Sequence, residues 1–160
     1  MKYFSIILIS LAFLSCKKTE TTTVYQVQEV FVDQPGADKP NVKKSTEYIS
    51  IAYSDLFQKN IPAELLSELT ESYIAFADVT IIEDLIIRNF LNDSEVIVPT
   101  DQTMRADIGA FVKSCYNQFY GREPSGQEVW FLQKLIEENS GLTPDVIYYS
   151  FLTCNEYRQF

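Results

Sequence analysis

Residues 119–130 read FYGREPSGQEVW, setting Arg122, Glu123 and Glu128 around a loop of glycine, proline and serine. A cation and two carboxylates at a turn can do acid–base chemistry, because neighbours that shift their pKa let such groups hold or release a proton. They can equally build a helix junction. Gly and Pro end one helix and start the next, and an arginine just past a helix C-terminus complements its negative end. The junction is the better reading. Gly121, Arg122 and Glu128 are assigned as a structural turn.

Other reactive residues are sparse. The chain has no histidine, which removes the commonest general base and metal ligand together. Of the three cysteines, Cys115 and Cys154 are a candidate disulfide. It would close a loop of about 40 residues and contribute about 4 kcal/mol. The alternative is two small buried hydrophobes. The acidic string Asn92, Asp93, Glu95 and Asp101 lacks the alternating oxygen ligands and central glycine of a calcium loop, so it reads as solvated charge. No catalytic residue, metal site or cofactor is assigned, and the chain is read as a non-enzyme. Ten tyrosines and eleven phenylalanines are a stronger lead. Tyr148, Tyr149, Tyr157 and Phe160 crowd the end of the chain as a candidate interface, with core packing as the alternative.

The first residues, MKYFSIILISLAFLSCKK, set the address. Lys2 precedes an apolar run, Phe4–Leu14. That run is too short for a membrane span, which needs about 20 residues, and has the length of a signal-peptide core. FLSC at 13–16 resembles a relaxed bacterial lipobox, with Phe13 where the strict pattern has Leu and Cys16 as the acylated residue. Residues 1–15 are then a lipoprotein signal peptide. Their removal takes one of 13 basic residues and none of the 22 acidic ones, leaving 12 against 22, a net charge of −10. Nucleic acid, bound chiefly through cation–phosphate contacts, is excluded as a partner. Lys17-Lys18 differs from the Asp signal that retains lipoproteins at the inner membrane, so the expected location is the outer membrane, its face undetermined.

Residues 16–45 carry the cysteine and a Thr-, Pro- and Gly-containing tether. Within it, Val24–Val32 is rich in β-branched and aromatic residues and is either an extended docked segment or plain tether. Helical periodicity begins at Thr46. Ile49, Ala52, Tyr53 and Leu56 share one face, Pro62 opens a second helix, and Thr80 with Glu83 fits a capping box for a third. Val96–Pro99 breaks the pattern.

The pattern then recurs. A shift of 63 places Ile49, Ala52, Tyr53, Leu56 and Phe57 on Val112, Cys115, Tyr116, Phe119 and Tyr120. DLIIRNFLNDSEV at 84–96 falls on DVIYYSFLTCNEY at 145–157, with Asp, Ile, Phe, Leu and Glu identical. The expected fold is all-α, with two repeated three-helix units at 46–97 and 100–160.

The second unit, CYNQFYGREPSGQEVWFLQKL followed by TPDVIYYSFLTCNEY, resembles the helical module of phycobilisome linker domains and a related bacterial cell-surface module. Tyr116, Gly121, Arg122, Glu128, Phe151, Glu156 and Tyr157 match that pattern, and Cys154 stands where the family has serine. The resemblance covers residues 106–160 and implies assembly or surface display without catalysis. The expected function is therefore a membrane-anchored scaffold or accessory subunit of an envelope protein complex. The alternative is an extracellular module binding a glycan, peptide or surface polymer.

Cys16→Ala should leave a precursor unprocessed at this site and without lipid, as read by fatty-acid labelling and membrane fractionation. A variant that labels and fractionates like its parent would refute the anchor.

Overall fold

The computed structural model describes residues 41–76 and 78–159. Cys16, the tether segment Val24–Val32 and Phe160 lie outside the described residues. The described chain is all-helical. Helix α1 (Ser45–Phe57), α2 (Ala63–Ala75) and α3 (Val79–Leu91) are followed by a short α4 (Asp101–Ala106). Then come α5 (Ile108–Cys115), running on as a π-helical turn through Tyr120, α6 (Gly126–Glu138) and α7 (Pro144–Leu152). Among the described residues no helix is long and apolar enough to cross a membrane.

Local chemistry explains the boundaries. Pro62 stands immediately before α2, where a missing amide costs nothing, and Pro144 is among the first residues of α7 for the same reason. Helix α3 departs from expectation. Its N-cap is Asp78, whose carboxylate accepts from the amides of Thr80 (3.0 Å) and Ile81 (3.3 Å). Thr80 and Glu83 therefore form no capping box, and Glu83 is turned into the core. The expected box motif stands instead at Ser125 and Glu128. There the Ser125 hydroxyl accepts from the Glu128 amide (3.3 Å) and the Glu128 carboxylate accepts from the Ser125 amide (2.7 Å).

Helices α1 and α5 with its π turn each end in a residue with left-handed backbone, Gln58 at φ 52° and Gly121 at φ 64°. This conformation reverses the chain and is the ordinary way to close a helix. Helices α2 and α6 begin 63 residues apart and are both 13 residues long. The π turn brings Tyr116, Phe119 and Tyr120 inward together, and all three are buried.

Helix α1 packs on α2 and α3, α5 packs on α6, and α3 packs on α7. Buried side chains from both halves form one cluster, including Ile49, Leu56, Ile87, Met104, Val112, Ile136, Leu152 and Tyr157. Each large apolar side chain so buried contributes roughly 1.5–3 kcal/mol. Helix α4 was not foreseen. It carries Arg105, whose guanidinium donates to the carbonyls of Ile136 (3.1 Å), Asn139 (3.3 Å), Ser140 (3.2 Å) and Leu142 (3.0 Å), capping the end of α6. At the start of the described chain, Val42 makes an antiparallel bridge with Gln159, and the Lys43 amide donates to the Arg158 carbonyl (2.8 Å).

Gln58 pays a steric cost in the left-handed region that glycine avoids. Gln58→Gly should raise stability by about 0.5 kcal/mol, after the unfolded chain's added entropy is offset. Denaturant unfolding is the measurement. An unchanged or lower midpoint would show that the Gln58 side chain has a compensating role.

Candidate functional site

Helices α3 and α7 frame two adjoining hollows, of about 290 Å³ and about 350 Å³, which share Tyr149. The first is lined by Thr80, Ile81, Glu83 and Asp84 of α3, with Tyr48, Thr153 and Arg158. The second is lined by Arg88, Leu91 and Asn92 opposite Asp145 and Val146. Together they make a groove whose two parts meet at Tyr149, with Glu83 and Asp84 lining the first and Asp145 the second.

Tyr149 is held by two neighbours. Its hydroxyl donates to Asp84, the Arg88 Nη2 donates to the same hydroxyl (3.1 Å), and the guanidinium lies 4.6 Å above the ring. Arg88 Nε also donates to both Asp84 oxygens (2.9 and 3.0 Å). The guanidinium first and the tyrosine second hold the Asp84 carboxyl below its usual range, while the Asp84 hydrogen bond raises the Tyr149 phenol. Asp84 is thus a fixed anion, unsuited to donate a proton near neutral pH.

Beside it, Glu83 is buried at 5% exposure and ion-pairs with Arg158. A charge so far from water needs that partner, since a buried unpaired carboxylate is strongly destabilising. The Tyr73 hydroxyl is buried with no hydrogen-bond partner in the described structure, and burial raises its pKa. Neither Glu83–Arg158 nor Arg105 was picked out from the sequence. The separation of 75 residues between Glu83 and Arg158 carries no periodic signal that would couple them.

The Arg122 turn resolves into a single node. Its Nε and Nη2 donate to Glu156 (2.6 and 3.0 Å), and its Nη2 and Nη1 donate to Glu128 (2.7 and 3.1 Å). Both carboxylates are held in fork geometry, the strongest form of such pairing. The guanidinium lies 4.8 Å above Tyr116, whose ring meets Phe151 edge-on at 5.0 Å. Tyr116, Arg122, Glu128, Phe151 and Glu156 therefore converge here. Arg122 is fully engaged, so its geometry is that of a brace. The hydrogen bonds of Arg122 pull the Glu128 carboxyl down to about 2 and raise the arginine pKa further. Glu123 takes no part in the fork, and its carboxylate accepts from Asn117 (2.9 Å).

Three expectations need correction. Tyr148 and Tyr157 are core residues at 3% and 0% exposure and offer no surface to a partner. Tyr157 sits against Tyr48 and Phe119, and its hydroxyl donates to Asp55 (2.7 Å). Tyr148, Phe151 and Leu152 stand at the i, i+3, i+4 spacing of one helix face, and all three are buried. Only Tyr149 of the described candidates lines an open surface. Cys115 and Cys154 are free. Cys115 is buried, and desolvation pushes its thiol up to about 12, so it packs as an inert hydrophobe. Cys154 is exposed, so the two do not form the candidate disulfide.

Compared with protein-family models, curated proteins and solved structures, the chain matches none.

Because the folded Glu128 pKa is depressed, its stabilisation is complete above the ordinary glutamate range and is lost as pH falls toward 2. Glu128→Gln should lower stability at pH 7 by about 1–3 kcal/mol. It should also flatten the acid limb of stability between about pH 5 and pH 2. Unfolding curves across that window decide the matter. A variant with the parent's pH profile would show that the fork contributes nothing.

Proposed function

We propose that this is a lipid-anchored, non-catalytic protein of the cell envelope, held by Cys16 at the outer membrane, that binds or braces another membrane protein. The observation that carries the reading is the apolar surface at the α2–α3 corner. Ile74 is 82% exposed, Phe76 58%, Ile81 56% and Leu85 50%, with Val79 also exposed. Monomeric proteins rarely leave so many large apolar residues together in water, and such patches mark interaction sites. Ile81 belongs both to this surface and to the groove, which extends the contact area toward Tyr149. The likeness to non-catalytic assembly modules points the same way, as does the use of Arg122, Asp84 and Glu83 within the fold.

We infer also that the two halves arose by duplication. Several features fall at equivalent positions. Gln58 and Gly121 share a left-handed backbone 63 residues apart. Lys59 pairs with Glu95 as Arg122 pairs with Glu156. Equivalent residues also touch each other: Gln118 donates to the Asp55 carbonyl (2.7 Å), and Arg88 meets Tyr149. Contacts between equivalent positions are what a two-fold arrangement produces. A brace repeated at Lys59–Glu95 favours structure over chemistry for Arg122.

The groove favours a second reading, an extracellular module for a glycan, peptide or surface polymer. Tyr149 and the polar groups around it would supply orientation in a partly apolar cleft.

Purification from native membranes in mild detergent separates the readings. The parent should bring down a stoichiometric integral-membrane protein. Phe76→Asp with Ile81→Asp should lose it while keeping the anchor and the parent's melting temperature. Retention of the partner by that variant would refute the role of the α2–α3 corner. Ligand retention abolished by Tyr149→Ala, with no membrane partner in the parent, would establish the second reading.

A further inference from the structure

Helix α6 has an apolar surface of its own. Its inward side, with Ile136 buried and Val129 and Leu132 partly so, meets the core. Trp130 is 63% exposed, Phe131 59% and Leu135 36%. The Lys134 ammonium lies 5.2 Å from the Trp130 ring centroid and pairs with Glu138 at 3.8 Å. A tryptophan, two further apolar side chains and a lysine able to extend its charged end form the set found where protein meets the headgroup layer of a bilayer.

The place where the chain enters the domain selects the occupant. Val42 is bridged to Gln159, three residues beyond Glu156. Glu156 shares Arg122 with Glu128, which stands in the first turn of α6. Glu128, Phe131 and Leu135 follow the i, i+3, i+7 spacing of one helix face. The described chain therefore enters the domain next to the segment that carries Glu156, whose partner Arg122 also holds the first turn of α6. Only 25 residues separate Cys16 from Val42. An acylated Cys16 thus keeps Val42, where the described domain begins, within at most about 90 Å of a bilayer, which raises the effective concentration of the domain's surfaces at the lipid. Three side chains are far fewer than the roughly 20–30 residues a side of a stable protein interface. They suffice to orient a domain that is already tethered.

We infer that the Trp130–Phe131–Leu135 face of α6 lies in the headgroup layer of the membrane to which Cys16 is anchored. The inference rests on the anchor reading above. A net charge of −10 after removal of residues 1–15 and the nearby Glu137 and Glu138 make the lipid zwitterionic rather than anionic. The contact turns the α6 side of the domain to the bilayer. It assigns to α6 a task separate from that of the α2–α3 corner.

Trp130 is the single tryptophan, so the protein carries its own probe. The lipidated full chain is placed in phosphatidylcholine vesicles, and Trp130 emission is read with acrylamide in the water or with lipids brominated high on the acyl chain. The expected result is a blue shift, protection from acrylamide and strong quenching by the brominated lipid. Phe131→Ser with Leu135→Ser, exposed positions whose change spares the core, should return the emission to that of a hydrated indole. A protein that floats with the vesicles while Trp130 stays open to acrylamide overturns the inference and leaves the anchor standing. Protection from acrylamide without bromine quenching means a second copy or another protein covers the face, and also overturns it. Failure to float overturns the anchor and this inference together.

Discussion

The paired grip of Arg122 on Glu128 and Glu156 is the constraint on which the rest of the domain depends. Glu128 fixes the entry of α6, and Glu156 fixes the turn after α7. The next two residues follow directly on that turn. Tyr157 enters the core and bonds Asp55 of α1, and Arg158 reaches Glu83 of α3. One guanidinium in the second half thereby sets two contacts with the first. Partial burial makes these charge-assisted bonds stronger than surface pairs, whose worth is typically below about 1 kcal/mol.

The groove inherits its shape from that chain of contacts. Its inner wall is Glu83 with Arg158, and its middle is Tyr149 with Asp84 and Arg88. Every charged group named in that wall is occupied within the fold, so the surface is preorganised and loses little side-chain freedom on meeting a partner. The α2–α3 corner differs in kind. It presents side chains whose burial is incomplete, and the unmet hydrophobic gain lies there.

The helical class and most helix positions were legible because buried faces repeat every three or four residues. Ile49, Ala52, Tyr53 and Leu56 announce α1 directly. The Arg122 turn was legible for a different reason: glycine and proline limit the backbone, and the two carboxylates stand where a cation must be answered. What escaped was of two kinds. Short α4 has too few residues to show a period, so Arg105 was missed. The Glu83–Arg158 pair joins residues far apart in the chain, and the Thr-x-x-Glu pattern at 80–83 mimics a cap although Asp78 fills that place. Tyr157 misled because a tyrosine near a chain end resembles a surface residue, whereas this one hydrogen-bonds inside the core.

The two ends of the described chain meet, and this governs the order in which the domain can close. Lys43 with Tyr157, Tyr48 with Leu152 and Asp55 with Tyr157 join residues 114, 104 and 102 positions apart. At roughly 5–20 residues per second, these partners are synthesised about 5–20 seconds after α1. For the later part of that interval Glu83 has no cation, and α1 is covered by α2 and α3 alone. A chain stopped a few residues short of 157 would own every helix and still gape along its seam.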